Sequence, residues 1–69
     1  MQDGKVNDAI EILKLNAESY PNSANVYDSM GEAYMLVGNN ELAIENYKKS
    51  LELDPSNNNA IERLEKLQK

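Results

Sequence analysis

Apolar residues recur along this chain every third and fourth position rather than every second, the spacing of helices that each bury one face. From about Val6 to Tyr20 the stripe is Val6, Ala9, Ile10, Leu13 and Ala17, widened by Ile12 and Leu15. Pro21 closes this segment, because the residue before a proline is pushed out of the helical region, and Asn22-Ser23 offers side-chain oxygens to start the next. The second helix is expected from about Ala24 to Val37. Gly38-Asn39-Asn40 ends it with residue types that tolerate the left-handed backbone that follows many helices. A third, about Asn40 to Leu53, carries Leu42, Ala43, Ile44, Tyr47 and Leu51 and stops at Asp54-Pro55. A fourth, about Asn57 to Leu67, sets Ala60, Ile61, Leu64 and Leu67 against Glu62, Arg63, Glu65 and Lys66. The expected class is all-α, with about four helices.

A shift of 34 residues lays the chain on itself without insertion: Gly4 on Gly38, Ala9 on Ala43, Ile10 on Ile44, Glu11 on Glu45, Lys14 on Lys48 and Pro21 on Pro55. A helix-turn-helix unit with this period resembles the tetratricopeptide repeat family. Residues 24–57 make one full repeat, with Tyr27, Met30, Gly31 and Tyr34 at the family's large, Leu, Gly and Tyr positions, and Ala43, Tyr47 and Pro55 at its Ala, aromatic and Pro positions. Ser50 departs from a usual alanine, and Asn40 from a common aromatic. The resemblance implies a fragment of an α-solenoid of antiparallel helical hairpins, read here as one module over 1–69. It comprises the second helix of a partial repeat over about 6–20, the full repeat, and a capping helix over 57–68. Physically, Gly31 and Ala43 are small so that two helices can approach, with tyrosines filling the space beside them. Such pairs cannot bury both faces alone and therefore stack.

Length and composition narrow the chemistry. The 69 residues carry Lys+Arg 7 and Asp+Glu 12, a net charge of −5, and neither His nor Cys. There is no thiol or imidazole for catalysis, disulfides or zinc. The acidic balance argues against nucleic acid, whose phosphates call for a basic face. No apolar run reaches the roughly 18–20 residues of a membrane span, and Met1-Gln2-Asp3-Gly4 does not open a signal peptide. A soluble protein is expected, with the cytoplasm as the default compartment and a periplasmic or secreted location as the alternative if the chain is part of a larger protein.

Candidate sites are few. The oxygen side chains of Asp54 to Glu65 superficially fit a calcium loop, but Asn59 stands where such loops need glycine, and a proline turn leading into an Asn-capped helix accounts for the same residues. Glu41 with Glu45, Glu11 with Glu18, and Glu62 with Glu65 lie on wet faces where nothing would raise a carboxylate pKa. Ser19, Ser23, Ser29, Ser50 and Ser56 lack a histidine base and read as caps, turns and packing residues. Tyr27, Tyr34, Tyr47 and Met30 belong to the core, and Met35 is a groove candidate. No catalytic residue, cofactor or metal is expected.

The resemblance points to protein or peptide binding on the concave face, formed by the first helix of each repeat. Here that means Asn25, Asp28, Ser29, Glu32 and Met35, continued by Asn59, Glu62, Arg63 and Lys66. Asp28 and Glu32 stand where the basic carboxylate clamp of some family members would need Lys and Asn, so a basic or neutral segment is the expected ligand. A second surface follows from the chain's beginning in mid-repeat. Val6, Ile10, Leu13 and Ala17 are expected to lack an intramolecular partner and to be covered by upstream sequence or by a second copy, a homodimer for which helix exchange through Gly38-Asn39-Asn40 is one route. The rival reading is a C-terminal accessory segment of a larger bacterial enzyme such as a serine hydrolase.

Overall fold

In the computed structural model, which describes residues 2–68 and the side chains of 8–68, the chain is four helices: α1 (Gln2–Ser19), α2 (Ala24–Leu36), α3 (Asn40–Leu53) and α4 (Asn58–Leu67). Three of them start on the same device. The side chains of Ser23, Asn39 and Asn57 accept from the backbone N–H of Val26, Leu42 and Ala60 at 3.4, 3.3 and 3.3 Å, satisfying donors that have no partner within the helix. The two proline turns are also alike: Ser23 N–H donates to the Tyr20 carbonyl and, one period on, Asn57 N–H to that of Asp54, both at 3.1 Å. The side-chain oxygen Oδ1 of Asp54 accepts from the Ser56 backbone and hydroxyl at 3.1 and 2.7 Å. The Asp54–Glu65 stretch is thus a hydrogen-bonded turn and an Asn-capped helix.

The α2–α3 turn closes by a double hydrogen bond. Gly38, at φ 83°, donates to the Met35 carbonyl at 3.1 Å while Asn39 N–H reaches back to Tyr34 at 2.9 Å, the arrangement in which glycine relieves the strain of left-handed backbone. At Gly4, the register equivalent of Gly38, no such turn forms. α1 is helical from Gln2, four residues ahead of the start that its apolar stripe suggests, so Gly4 lies within the helix.

The helices form a slab 34 × 31 × 15 Å in which α2 and α3 share the broadest interface, flanked by α1 on α2 and α4 on α3. Its core is Ile10, Met30, Ala33, Tyr34, Ala43, Tyr47, Ala60 and Leu64. One contact sets the α2–α3 spacing: a Cβ built on Gly31 would lie 2.9 Å from three atoms of the Tyr47 ring. The ring is fully buried and has nowhere to retreat.

The expectation for α1 needs correction. Ile10 is 6% exposed, inside the chain's own core, and Leu13 and Ala17 pack against that core. The side chain of Val6 lies outside the described residues. α1 carries two apolar faces, and periodicity identifies a buried face without saying what buries it. The face left in solvent is the other one, with Ile12 59% and Leu15 62% exposed.

These observations separate two glycines. Gly31→Ala gains up to about 1 kcal/mol of helix propensity but drives a methyl into an immovable ring, an overpacking cost of about 1–3 kcal/mol, so a net loss of stability is expected in urea melts. Gly38→Ala meets no side chain but must hold a left-handed backbone, at about 1–2 kcal/mol. Gly38→Asn should recover part of that loss, whereas Gly31→Asn should not recover any.

Candidate functional site

The exposed face of α2 is Asn25, Ser29, Glu32 and Leu36, spaced by four, three and four residues. On α4 the corresponding face is Asn59, Glu62 and Lys66, all exposed, with Arg63 half-buried beside them. These two faces are laced together by Asp28. Its Oδ2 accepts from Asn57 Nδ2 at 2.9 Å, and its Oδ1 from Asn59 Nδ2 at 2.8 Å. The second hydrogen of the Asn57 amide goes to Ser50 Oγ at 2.9 Å, and the Ser50 hydroxyl donates in turn to the Ala24 carbonyl at 2.8 Å. Because Asn57 Oδ1 also caps α4, this one amide joins α2, α3 and α4.

The arrangement redistributes the residues named from sequence. Asp28 is half-buried and both its oxygens are engaged, so it braces the site and offers little to a ligand. Met35 is half-buried and packs on the core, and the exposed apolar side chain of α2 is Leu36, at 66%. The signal for Leu36 was present in its alignment with Asn25, Ser29 and Glu32. Asn25, Ser29, Glu32, Glu62 and Lys66 project into solvent. Ser50, a departure from the family's alanine expected to cap, turn or pack, is fully buried and is the hub of the polar network.

Beneath this face lie two buried polar atoms for which the described residues supply no partner, the Tyr47 hydroxyl and Arg63 Nε. Burial raises the Tyr47 pKa above its ordinary value, and the Asp28 charge adds to this, with Arg63 opposing it and Glu32 reinforcing it. The α2–α4 face is therefore polar and mixed in sign above a buried tyrosine. An open depression of about 410 Å³ lies elsewhere, on the α3 side, walled by Tyr27, Leu42, Asn46 and Lys49. There Lys49 Nζ sits 6.0 Å from the Tyr27 ring centroid, at the outer limit of a cation–π contact. Among the described residues no helix is long and apolar enough to cross a membrane, and no group of three or more acidic side chains converges as metal ligands would.

Comparison with known proteins adds the context. Residues 24–57 match the family model described as tetratricopeptide repeat. The chain is also similar to heat shock protein STI1 of Saccharomyces cerevisiae, 40% identical over 62 residues that take in 90% of this chain and 10% of that protein. It thus spans about a tenth of the length of that curated relative.

Two consequences are open to measurement. Asp28→Ala should lower stability by about 1–2 kcal/mol, since hydrogen bonds to a charged acceptor are lost. In double-mutant cycles its coupling to part-buried Asn57 should exceed its coupling to exposed Asn59. For Tyr47, a folded-state pKa raised above the unfolded value of 10.0 means that its contribution is intact below about pH 10 and is lost as the pH rises through the folded value. Tyr47→Phe should be neutral or stabilising near pH 7, because it deletes an unpaired buried hydroxyl. It should also reduce the alkaline loss of stability seen by circular dichroism.

Proposed function

The chain belongs to the tetratricopeptide repeat family, and on that premise we propose that it acts as one protein–protein interaction module, a scaffold without catalysis of its own, holding an extended peptide segment across α2 and α4. The observation that carries this reading is the solvent-facing row Asn25, Ser29, Glu32 and Leu36 beside Asn59, Glu62 and Lys66, mounted on helices that the Asp28 network holds in fixed relation. Asn and Ser side chains there can pair with the main chain of a ligand, which gives grip without demanding a sequence. Leu36 supplies one apolar contact, and the half-exposed stem of Arg63 can supply another.

Charge gives the preference. Asp28, Glu32 and Glu62 set three carboxylates against the two cations Arg63 and Lys66, which favours a neutral or basic segment over an acidic one. The same composition supports the absence of catalysis, since no histidine or cysteine is present and no carboxylate of the face is buried free of partners.

Nuclear magnetic resonance titration with two peptide pools, identical except for lysine in one and glutamate in the other, tests the proposal. The lysine pool should move the amide signals of Asn25, Ser29, Glu32, Leu36, Asn59 and Lys66. Glu32→Lys should weaken that binding about fivefold, the size of one partly screened ion pair. Shifts confined to other surfaces, or affinity indifferent to Glu32→Lys, would refute this site.

A further inference from the structure

The Tyr47 hydroxyl and Arg63 Nε are buried with no hydrogen-bond partner among the described residues. Native chains pair nearly all such groups, so two left over in one region call for a physical account. Their surroundings are defined. A Cβ on Gly31 would sit 2.9 Å from Cζ of Tyr47, the carbon that bears the hydroxyl, so the hydroxyl lies against the middle of α2. The charges that act on it belong to Asp28 and Glu32, on either side of Gly31, and to Arg63 on α4. The unpaired atoms therefore floor the gap between the two helices that carry the α2–α4 face.

Arg63 Nε can only donate, and a phenol hydroxyl donates readily, so what the pair lacks is an acceptor oxygen. Asp28 is already engaged, its two oxygens accepting from Asn57 and Asn59 at 2.9 and 2.8 Å. A carboxylate brought in from outside is disfavoured, because Asp28 and Glu32 already set two negative charges around the hydroxyl. The acceptor that fits is uncharged. We propose that Tyr47 and Arg63 form a subsite for a side-chain carboxamide, a glutamine or asparagine of the bound segment: its carbonyl oxygen accepts from the Tyr47 O–H and the Arg63 Nε–H, and its NH2 group donates to the exposed Glu32 carboxylate.

This subsite rests on the peptide-binding reading of the α2–α4 face and adds to it a preference for one side chain. A main-chain carbonyl offers the same oxygen but stays at the level of the face, whereas both donors lie beneath the surface and a side chain spans that depth. Glu32 is exposed and Arg63 half-buried, so their long side chains give way to admit it. Tyr47 is fully buried and stays in place. Discrimination follows from what a mismatched side chain leaves behind. Methionine, of nearly glutamine's length, covers the two donors again without an acceptor, and glutamate brings a third carboxylate.

The test divides the lysine-bearing peptide pool into three sets with one central position fixed as glutamine, methionine or glutamate. Arg63 is the chain's one arginine, so its Nε–H gives a single resonance to follow. The glutamine set should bind about tenfold more tightly than the methionine set, the size of one or two recovered hydrogen bonds, and it alone should move the Arg63 Nε–H signal. Tyr47→Phe should erase that preference and leave the weaker binding of the methionine set unchanged. Arg63→Lys, which keeps the charge but not the Nε donor, should erase it too, and decides the matter independently of how Tyr47→Phe folds. Binding at the face with no preference for glutamine, a preference for glutamate, or a glutamine preference that survives these substitutions overturns the subsite and leaves the peptide-binding reading standing. So does an equal loss across all three sets in Tyr47→Phe, which would make a main-chain carbonyl the acceptor. Amide signals of the α2–α4 face that move with none of the sets refute that reading and the subsite together.

Discussion

The contact between Gly31 and the ring of Tyr47 is the constraint on which the rest of the structure depends. A helix pair can be stabilised by many small contacts, but the distance between the axes is fixed by whatever stands at the crossing point. Here that is a glycine facing the flat side of a fully buried tyrosine. The close approach allows Ala43 to be buried completely and brings Tyr34 and Met30 into one cluster with it. It also leaves the Tyr47 hydroxyl buried, which raises its pKa, with the Asp28 charge of α2 adding to the effect, Arg63 of α4 opposing it and Glu32 of α2 reinforcing it. A larger residue at position 31 would change the geometry of α4 as well as of α3, because α4 is registered on both.

The second organising feature is polar and operates where apolar packing thins out. α4 is anchored to α3 by Ala60 and Leu64, but its relation to α2 rests on Asn57 and Asn59 holding the Asp28 carboxylate. Ser50 closes the circuit by linking the Asn57 amide to the first turn of α2. Networks of this kind specify geometry more than they add stability, since each member must be desolvated before it is paired. In this protein the specified quantity is the angle between the two helices that carry Glu32 and Lys66. Structure and recognition therefore compete for the same residue type. Asp28 stands in the middle of the proposed ligand face and is spent on holding that face together.

How much of this could be read in the chain depends on how local each feature is. The helices, their Ser and Asn caps and the proline turns depend on residues three or four apart, and those signals were plain. The 34-residue register made the pairing of α2 with α3 legible too, through Gly31 and Tyr47. Asp28 and Asn57 are 29 residues apart, and no local pattern distinguishes a carboxylate that will be clasped from one that will face solvent. Ser50 is illegible for the same reason, its partners Ala24 and Asn57 lying 26 and 7 residues away. The error on α1 is instructive in another way. Ile10, Leu13 and Ala17 do form a buried stripe, but a stripe is a statement about one helix, and α2 supplies the partner that was sought outside. Comparing α1 with α3 position by position, instead of reading α1 alone, moves the open face to Ala9, Ile12 and Leu15.

The two ends of the slab thus differ in kind, and the difference lies in single residues. A repeat stack has stability that is roughly the sum of its units and their interfaces, so every unit needs either a neighbour or a surface that tolerates water. α4 meets the second requirement: Glu65 replaces the glycine of the crossing point, and only Ile61 among its apolar residues is substantially exposed, at 37%. α1 does not, because Ile12 and Leu15 remain in water beside an alanine small enough to admit another backbone. The face between α2 and α4 lies near the closed end, where the Asp28 network rather than a further helix supplies rigidity. A contact made at Ile12 and Leu15 would therefore leave in place the residues proposed to hold a peptide.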